Sequence, residues 1–284
     1  MQLGVFAKTF VRSAVEEVFA AVASHGLRQT QFNFSCLGGP SLPDAIDLET
    51  TDRVRGAASA HAVGIAAISG TANLIHPNRQ QRQADLRRLT VLAESCAAIG
   101  TRIVTLSTGT RDRMDTWRRH PDNQTPEAWR DLVQALERLL TLTDATGVTF
   151  AFEPERENVV YSAARARDLL REIASPRLGV LIDPANLVDP GEAARLPDLM
   201  KEAFSLIGAR IVLAHAKDRT DDGSVVAAGE GIVPWPLYVD LLSDAGYTGP
   251  LILHGLAEDE VSSAVAFLRD ALPTAPHDRP RTAI

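Results

Sequence analysis

The stretch VTFAFE, residues 148–153, is a short apolar run that ends in a carboxylate. Three later stretches repeat this design: LGVLID at 178–183, RIVLAH at 210–215 and PLILH at 250–254. Runs of about six residues rich in Val, Ile, Leu and Phe are typical of strands buried on both faces of a parallel sheet. Each run ends in a group that can bind a metal, and these groups are Glu153, Asp183, His215 and His254.

The four terminal residues recur about every 30 to 40 positions, the length of one strand-helix unit. Because parallel strands end at the same edge of a sheet, we predict that Glu153, Asp183, His215 and His254 converge there. Carboxylates and imidazoles suit a divalent cation such as manganese, zinc, iron or cobalt. A single residue of this kind is more often a helix cap or a structural histidine, but four in register favour a shared site.

Apolar runs at 2–6, 30–34, 64–69 and 102–107 precede these four, and amphipathic helices alternate with them. Eight such units predict a (β/α)8 TIM barrel over residues 1–273, with functional residues on the loops after the strands. We predict that the proline-rich, charged tail 274–284 is disordered. A doubly wound open sheet is the alternative, but FAKTF at 6–10 is not the glycine-rich phosphate loop that it would carry.

Composition limits the class of protein. The chain has 284 residues, of which 45% are hydrophobic. Its net charge of −7 argues against a nucleic-acid partner. This net charge still leaves room for a local basic pocket that binds a small anion. The arginines around residues 79–88 are interpreted as a solvated helix face. No stretch reads as a signal peptide or membrane span, and two cysteines fit a reducing compartment, so we expect a cytoplasmic protein without a membrane partner.

The strand ends of the second half resemble the xylose isomerase-like barrel superfamily. The fragments that carry the resemblance are FEPE at 152–155, IDPAN at 182–186, HAKD at 215–218 and GEGIVPW at 229–235. The resemblance implies a sugar isomerase or epimerase whose divalent metal is held by Glu153, Asp183 and His215. Manganese is preferred, with magnesium, zinc, cobalt or iron as alternatives. Homo-oligomers are common in this family, so a homo-oligomer is a further expectation.

Two departures from the family pattern bear on the mechanism. Family epimerases usually end strand eight in a glutamate that is both ligand and base, where this chain has His254, and many carry a histidine where it has Asn186. We predict that Glu153 or His254 removes a proton next to a carbonyl, giving an ene-diolate. His254 is also a candidate fourth metal ligand. Eight substrate-binding candidates lie on the loops after the strands: Asn73, His76, Arg111, Glu155, Asn186, Lys217, Asp218 and Trp235.

Three other functions remain open. A lyase that dehydrates a cyclic polyol would use the same intermediate and expel a hydroxyl group. A sugar-binding barrel without turnover would fit the substitutions at His254 and Asn186. A DNA repair endonuclease of the same superfamily would need further metal ligands after strands two to four and a basic groove, which the sequence disfavours.

Overall fold

A computed structural model describes residues 1–272, and the predicted tail at 274–284 lies outside them. Eight parallel strands close a barrel in the order β1-β2-β3-β4-β5-β6-β7-β10, which confirms the predicted (β/α)8 architecture. The strands are β1 Leu3–Phe6, β2 Gln29–Phe32, β3 Gly64–Ser69, β4 Ile103–Ser107, β5 Thr149–Glu153, β6 Leu178–Ile182, β7 Ile211–Ala216, β8 Asp218–Arg219, β9 Val225–Val226 and β10 Leu251–Leu253.

The helices cover the outside of the barrel, and some of them begin with a side-chain cap. Asn78, Thr125 and Ser162 each accept a hydrogen bond from the first turn of the helix that follows. The helices are α1 Val15–Ser24, α2 Leu48–Ala60, α3 Arg79–Ile99, α4 Pro126–Leu140, α5 Thr143–Thr146, α6 Ala163–Ile173, α7 Leu196–Ile207, α8 Trp235–Asp244 and α9 Val261–Ala271. None of those within the described residues is long and apolar enough to cross a membrane.

The polypeptide differs from the sequence-based expectation in two places. The helix expected from residue 125 to 146 is divided into α4 and α5, and the Thr143 hydroxyl donates to Leu140 O at the break. The expected loop at 217–234 contains the small antiparallel hairpin β8-β9. This hairpin lies directly after β7 and therefore at the carboxyl end of the barrel.

The core has two parts. The larger part lies between the sheet and the helices and includes Phe19, Phe32, Leu89 and Phe150, all fully buried. The smaller part fills the barrel interior and consists of five side chains: Ala67, Ala151, Leu181, Leu213 and Ile252. Because this interior is packed with side chains, it is closed below the carboxyl end, where the loops leave space for polar groups.

Candidate metal and active site

The candidate site is the next layer of inward-facing side chains above the apolar barrel interior. Alternate residues of a strand face the same side. The residues two positions beyond Ala151, Leu181, Leu213 and Ile252 therefore also face inward, towards the carboxyl mouth. These residues form the cluster that we call the mouth cluster: Glu153, Asp183, His215 and His254.

The mouth cluster has the dimensions of a metal site. Asp183, His215 and His254 each offer a ligand atom, and these atoms all lie within 4.8 Å of one another. Glu153 is at the edge of this group, with its Oε1 atom 3.8 Å from His215 Nδ1. His215 Nδ1 also lies 3.5 Å from Asp183 Oδ2. The strand ends that the sequence singled out therefore meet in space.

His215 is held in the orientation and tautomer that a metal ligand needs. Its Nε2 atom lies 2.8 Å from Gln31 Oε1. Gln31 itself donates through Nε2 to Thr105 Oγ1, at 3.3 Å. Because the amide oxygen of Gln31 can only accept, Nε2 of His215 carries the proton and Nδ1 presents its lone pair to the carboxylates. Gln31 is not among the residues predicted from the sequence, although a glutamine between Thr30 and Phe32 of a buried strand was the available signal.

Lys217 places a cationic group beside Asp183. Its Nζ atom lies 3.3 Å from Asp183 Oδ2 and donates to Asn186 Oδ1 at 2.8 Å. Burial alone would raise the pKa of Asp183, but Lys217 and His215 lower it below its usual value. Burial alone would lower the pKa of Lys217, but Asp183, Glu153 and Glu155 raise it. Asp183 is therefore ionised and Lys217 protonated at neutral pH.

Asn186 connects Lys217 with Glu153. While its Oδ1 accepts from Lys217, its Nδ2 donates to Glu153 Oε1 at 2.7 Å. Burial raises the pKa of Glu153 well above its usual value, and the charges of Glu155 and Asp183 raise it further. Glu153 therefore keeps its proton to a higher pH than an exposed glutamate does, and such a carboxyl group can exchange a proton.

His254 follows β10 and stacks between Phe6 and His215, with ring centroids 5.1 and 4.6 Å apart respectively. Burial lowers the pKa of His254 well below its usual value, and the charge of Lys217 lowers it further. The imidazole is therefore neutral at pH 7. A neutral imidazole can coordinate a metal or accept a proton.

Three buried atoms of the mouth cluster make no hydrogen bond within the described chain: Asp183 Oδ2, His215 Nδ1 and His254 Nδ1. Buried polar atoms in native proteins are nearly always satisfied. Within this part of the chain the two imidazole atoms have no hydrogen-bond partner, and Asp183 Oδ2 has only its ion pair with Lys217. One carboxylate and two imidazoles on adjacent side chains match the ligand preference of a divalent transition metal. The residues present therefore fit a metal ion.

Glu155 is a second buried carboxyl group near this cluster, and it is 8% exposed. Its Oε2 atom makes no hydrogen bond within residues 1–272. Burial raises the pKa of Glu155 to about 8, although the charge of Lys217 opposes this shift. Glu155 can therefore change its protonation state near neutral pH.

Asp218 and Trp235, both predicted to bind substrate, are engaged in holding the loop after β7. The buried Asp218 carboxylate accepts hydrogen bonds from Gly229 N, Val233 N and Trp235 Nε1, at 3.1, 3.0 and 2.9 Å. All three donors come from the segment between β9 and the start of α8. These contacts hold the segment in place, and the predicted role of Asp218 and Trp235 in substrate binding stays a prediction.

Asn73 has a comparable role in the long loop after β4. Its Nδ2 donates to Thr110 O at 2.8 Å, and its Oδ1 accepts from Thr110 N at 3.0 Å. Gly109, the preceding residue, has a φ of +85°, and a Cβ atom there would collide with Asn73 Oδ1. These contacts fix the loop, and the predicted role of Asn73 in substrate binding stays a prediction.

His76 and Arg111 lie on the outer rim of the same barrel end, and their contacts are with the rim. His76 Nδ1 accepts from Asn78 N at 3.1 Å. Arg111 donates to Ile75 O and to Asp131 Oδ2, both at 2.7 Å. Their predicted role in substrate binding stays a prediction.

Tyr238 of α8 is a positioning residue that the sequence did not single out. Its hydroxyl is within hydrogen-bond distance of two backbone carbonyl oxygens, Ile182 O at 3.3 Å and His215 O at 3.1 Å. These carbonyls belong to the ends of β6 and β7. The buried hydroxyl therefore ties α8 to the strands that carry Asp183 and His215.

The fold and the mouth cluster together define a (β/α)8 barrel with a carboxylate–imidazole site of metal-binding type at its carboxyl end. The family model described as xylose isomerase-like TIM barrel matches residues 10–271. The chain belongs to this family, which confirms the resemblance read from the strand ends. No curated protein sequence matches the chain.

Solved structures share the fold over nearly the whole chain at low identity. The 3-keto-D-glucoside 4-epimerase of E. coli is 15% identical with a TM-score of 0.75, and the match covers 95% of this chain and 99% of the epimerase. The D-psicose 3-epimerase of Clostridium cellulolyticum, solved with D-tagatose, is 16% identical with a TM-score of 0.73, over 96% and 100%. A third structure, the IOLI protein with a binding zinc atom, is 15% identical with a TM-score of 0.71, over 95% and 96%.

Proposed function

We propose that this protein is a divalent-metal-dependent isomerase or epimerase of a small sugar, polyol or sugar phosphate. The observation that carries the proposal is the convergence of ligand atoms of Asp183, His215 and His254, all within 4.8 Å of one another, at the carboxyl mouth of the barrel, where Nδ1 of both histidines lacks a hydrogen bond within the described residues. Family membership supports it, as do the names of similar structures, which include two sugar epimerases. The net charge of −7 supports a small-molecule substrate over a nucleic acid.

Asp183, His215 and His254 would hold the cation, and Glu153 would join them from the edge of the cluster. When bound, a divalent cation polarises substrate oxygens and stabilises the negative charge that develops on them. Manganese is our first choice of metal. Gln31 keeps the lone pair of His215 Nδ1 directed into the site.

Two groups are candidates for moving the proton on the carbon next to the substrate carbonyl. His254 is neutral at pH 7 because of burial and the nearby positive charges, so its imidazole can accept a proton directly. Glu153 can accept one once its carboxyl group is ionised. Removal of this proton gives an ene-diolate, and its return to the other face or the other carbon gives an epimer or an isomer.

Lys217 and Asn186 would orient the substrate, and Lys217 would place a positive charge beside it. Lys217 is protonated, mostly buried and already positioned by Asn186. A fixed ammonium group of this kind can stabilise the oxyanion that forms when the proton leaves. Glu155, with its orphaned Oε2 atom, would bind a substrate hydroxyl group.

Proton exchange with solvent tests this chemistry on any compound that carries a proton on the carbon next to its carbonyl. The metal-free protein is loaded with Mn and incubated in heavy water with a panel of ketoses, keto derivatives of polyols and sugar phosphates that carry a carbonyl group. Mass spectrometry and NMR then detect deuterium on that carbon, and loss of water would identify a dehydratase instead. We expect incorporation that depends on added Mn and disappears in Asp183→Ala.

The surface variant Asp198→Ala is the matched control, since this carboxylate is exposed on α7. It should exchange protons at the wild-type rate. Mn binding without any exchange across the panel would contradict an isomerase and favour a sugar-binding barrel. Exchange that persists in Asp183→Ala would contradict the assignment of the site.

A further inference from the structure

An open groove of about 820 Å³ lies on the rim of the barrel, apart from the mouth cluster. It is bounded by the loops after β3 and β4 and by the first turns of α3 and α4. Its volume is within the range of small-molecule sites. Six arginines line the groove: Arg79, Arg82, Arg111, Arg113, Arg118 and Arg130.

The inner wall of the groove has more positive charge than its own carboxylates neutralise. Arg82 and Arg111 are only 13% and 12% exposed, yet both pair with the same oxygen, Asp131 Oδ2, at 3.2 and 2.7 Å. Burial lowers the pKa of Arg82, and the like charges of Arg111 and Arg79 lower it further while Asp131 opposes the shift. Two largely buried guanidinium groups thus share one counter-charge.

The outer wall adds two arginines with unused donors. Arg79 and Arg113 are exposed, and neither side chain forms a hydrogen bond or an ion pair within residues 1–272. Four carboxylates also line the groove, so six guanidinium groups leave two positive charges without a partner. The four are Asp112, Asp122, Glu127 and Asp131.

This arrangement stands out in a chain whose net charge is −7. The sequence alone suggested a solvated helix face around residues 79–88, but Arg82 is buried in the groove wall instead. A purely solvated face would spread its arginines apart and pair them with acids on the same helix. Here arginines from α3, α4 and the loop after β4 converge on one concave surface.

We propose that this groove binds a small polyanion that carries two or more phosphate or carboxylate groups. The planar guanidinium fork matches both groups and binds them through paired hydrogen bonds. Arg79 and Arg113 supply the free donors, and the buried pair Arg82 and Arg111 supplies the fixed positive field. The groove is a second ligand site at the same end of the barrel as the mouth cluster.

Isothermal titration calorimetry at low ionic strength tests the proposal. Tripolyphosphate and citrate serve as probes, and the one that binds at the lower concentration shows whether phosphate or carboxylate is the preferred group. The test variant is the double substitution Arg79→Gln with Arg113→Gln, which removes only exposed, unpaired side chains. Each lost guanidinium contact should weaken binding by roughly tenfold.

Arg87→Gln is the matched control, because Arg87 is exposed on α3 but does not line the groove. We expect its affinity to equal that of the wild type. The absence of saturable binding of either probe would overturn the proposal, and so would equal losses in the control and the double variant. An oligonucleotide that binds more tightly than tripolyphosphate, with the same arginine dependence, would overturn the assignment to a small ligand.

Discussion

Lys217 and Asp183 form a buried ion pair at the centre of the site, and its strength can be measured in the absence of any substrate. Lys217 Nζ lies 3.3 Å from Asp183 Oδ2, with side chains 13% and 0% exposed. At this distance, Coulomb's law with an effective dielectric constant of 20 gives an attraction of about 5 kcal/mol. We predict that Asp183→Asn and Lys217→Met each lower the free energy of unfolding of the metal-free protein by roughly 3 to 5 kcal/mol.

The assay is urea unfolding in the presence of a chelator, applied to the wild type, both single variants and the double variant. The double variant should lose much less than the sum of the single losses, because neither charge is then left alone. We expect a coupling energy of roughly 2 to 4 kcal/mol. The control pair is Asp198 and Lys201 on α7, with a similar separation of 3.4 Å but side chains 87% and 59% exposed.

The control pair should give a coupling energy of about 0.5 kcal/mol or less, since exposed pairs contribute little. The pKa of Asp183 is lowered, so its contribution is present above its unfolded pKa and is lost in acid. The pKa of Lys217 is raised, so its contribution is present below 10.5 and is lost in alkali. The coupling should therefore be constant from about pH 5 to 7, below the pKa of about 8 at which the neighbouring Glu155 gains its charge. A value equal to that of the surface pair would refute the reasoning.

Three further predictions concern single side chains. Burial raises the pKa of Glu155 to about 8. The folded state therefore binds this proton more tightly than the unfolded state, and the wild type loses stability as the pH rises from about 5 to 8. Glu155→Gln has no such proton to lose, so its free energy of unfolding relative to that of the wild type should rise by a few kcal/mol over this range. Urea titration at each pH measures the difference. His254→Ala should weaken Mn binding by roughly tenfold or more in calorimetry, whereas unchanged affinity would exclude it as a ligand. Asn73→Ala leaves the buried backbone N–H and C=O of Thr110 without partners, so it should lower the free energy of unfolding by roughly 2 to 4 kcal/mol in thermal unfolding. It should also expose the Thr110 amide to hydrogen exchange. Protection of this amide equal to that in the wild type would contradict this role.

The barrel could be predicted because its strands are recognisable from local sequence. A run such as residues 178–182 has no polar side chain at any position, which is typical of a strand covered on both faces. Alternate residues of each strand face the same side, so the inward-facing layer of side chains determines which residues face the site. Since Leu213 and Ile252 face inward, His215 and His254 must do so as well. Convergence of the strand ends thus follows from periodicity and topology.

The roles of individual polar side chains could not be read in the same way. Asp218 follows a metal-type histidine by three positions and looks like a site residue, yet its carboxylate is fully used by backbone and indole donors of a later loop. Such contacts join residues 11 to 17 positions apart through an irregular segment. Local patterns contain no information on where these donors will be.

The contacts of Gln31 and Arg82 could not be predicted from the sequence either. Both are polar residues in elements whose position was predicted well, but their function depends on what lies opposite them in space. Gln31 meets His215 across the barrel, from a position 184 residues away in the chain. Arg82 meets Asp131 of the neighbouring helix. Partners this distant in the sequence become visible only when the barrel is closed.

The most direct test of the central claim is an anomalous difference map from crystals of this protein soaked in Mn. We predict a single strong peak in contact with Asp183, His215 and His254, with Glu153 turned towards it. The same crystals of Asp183→Ala should show no peak at that position. A wild-type map without a peak among these four side chains, at a Mn concentration that saturates calorimetric binding, would contradict the account.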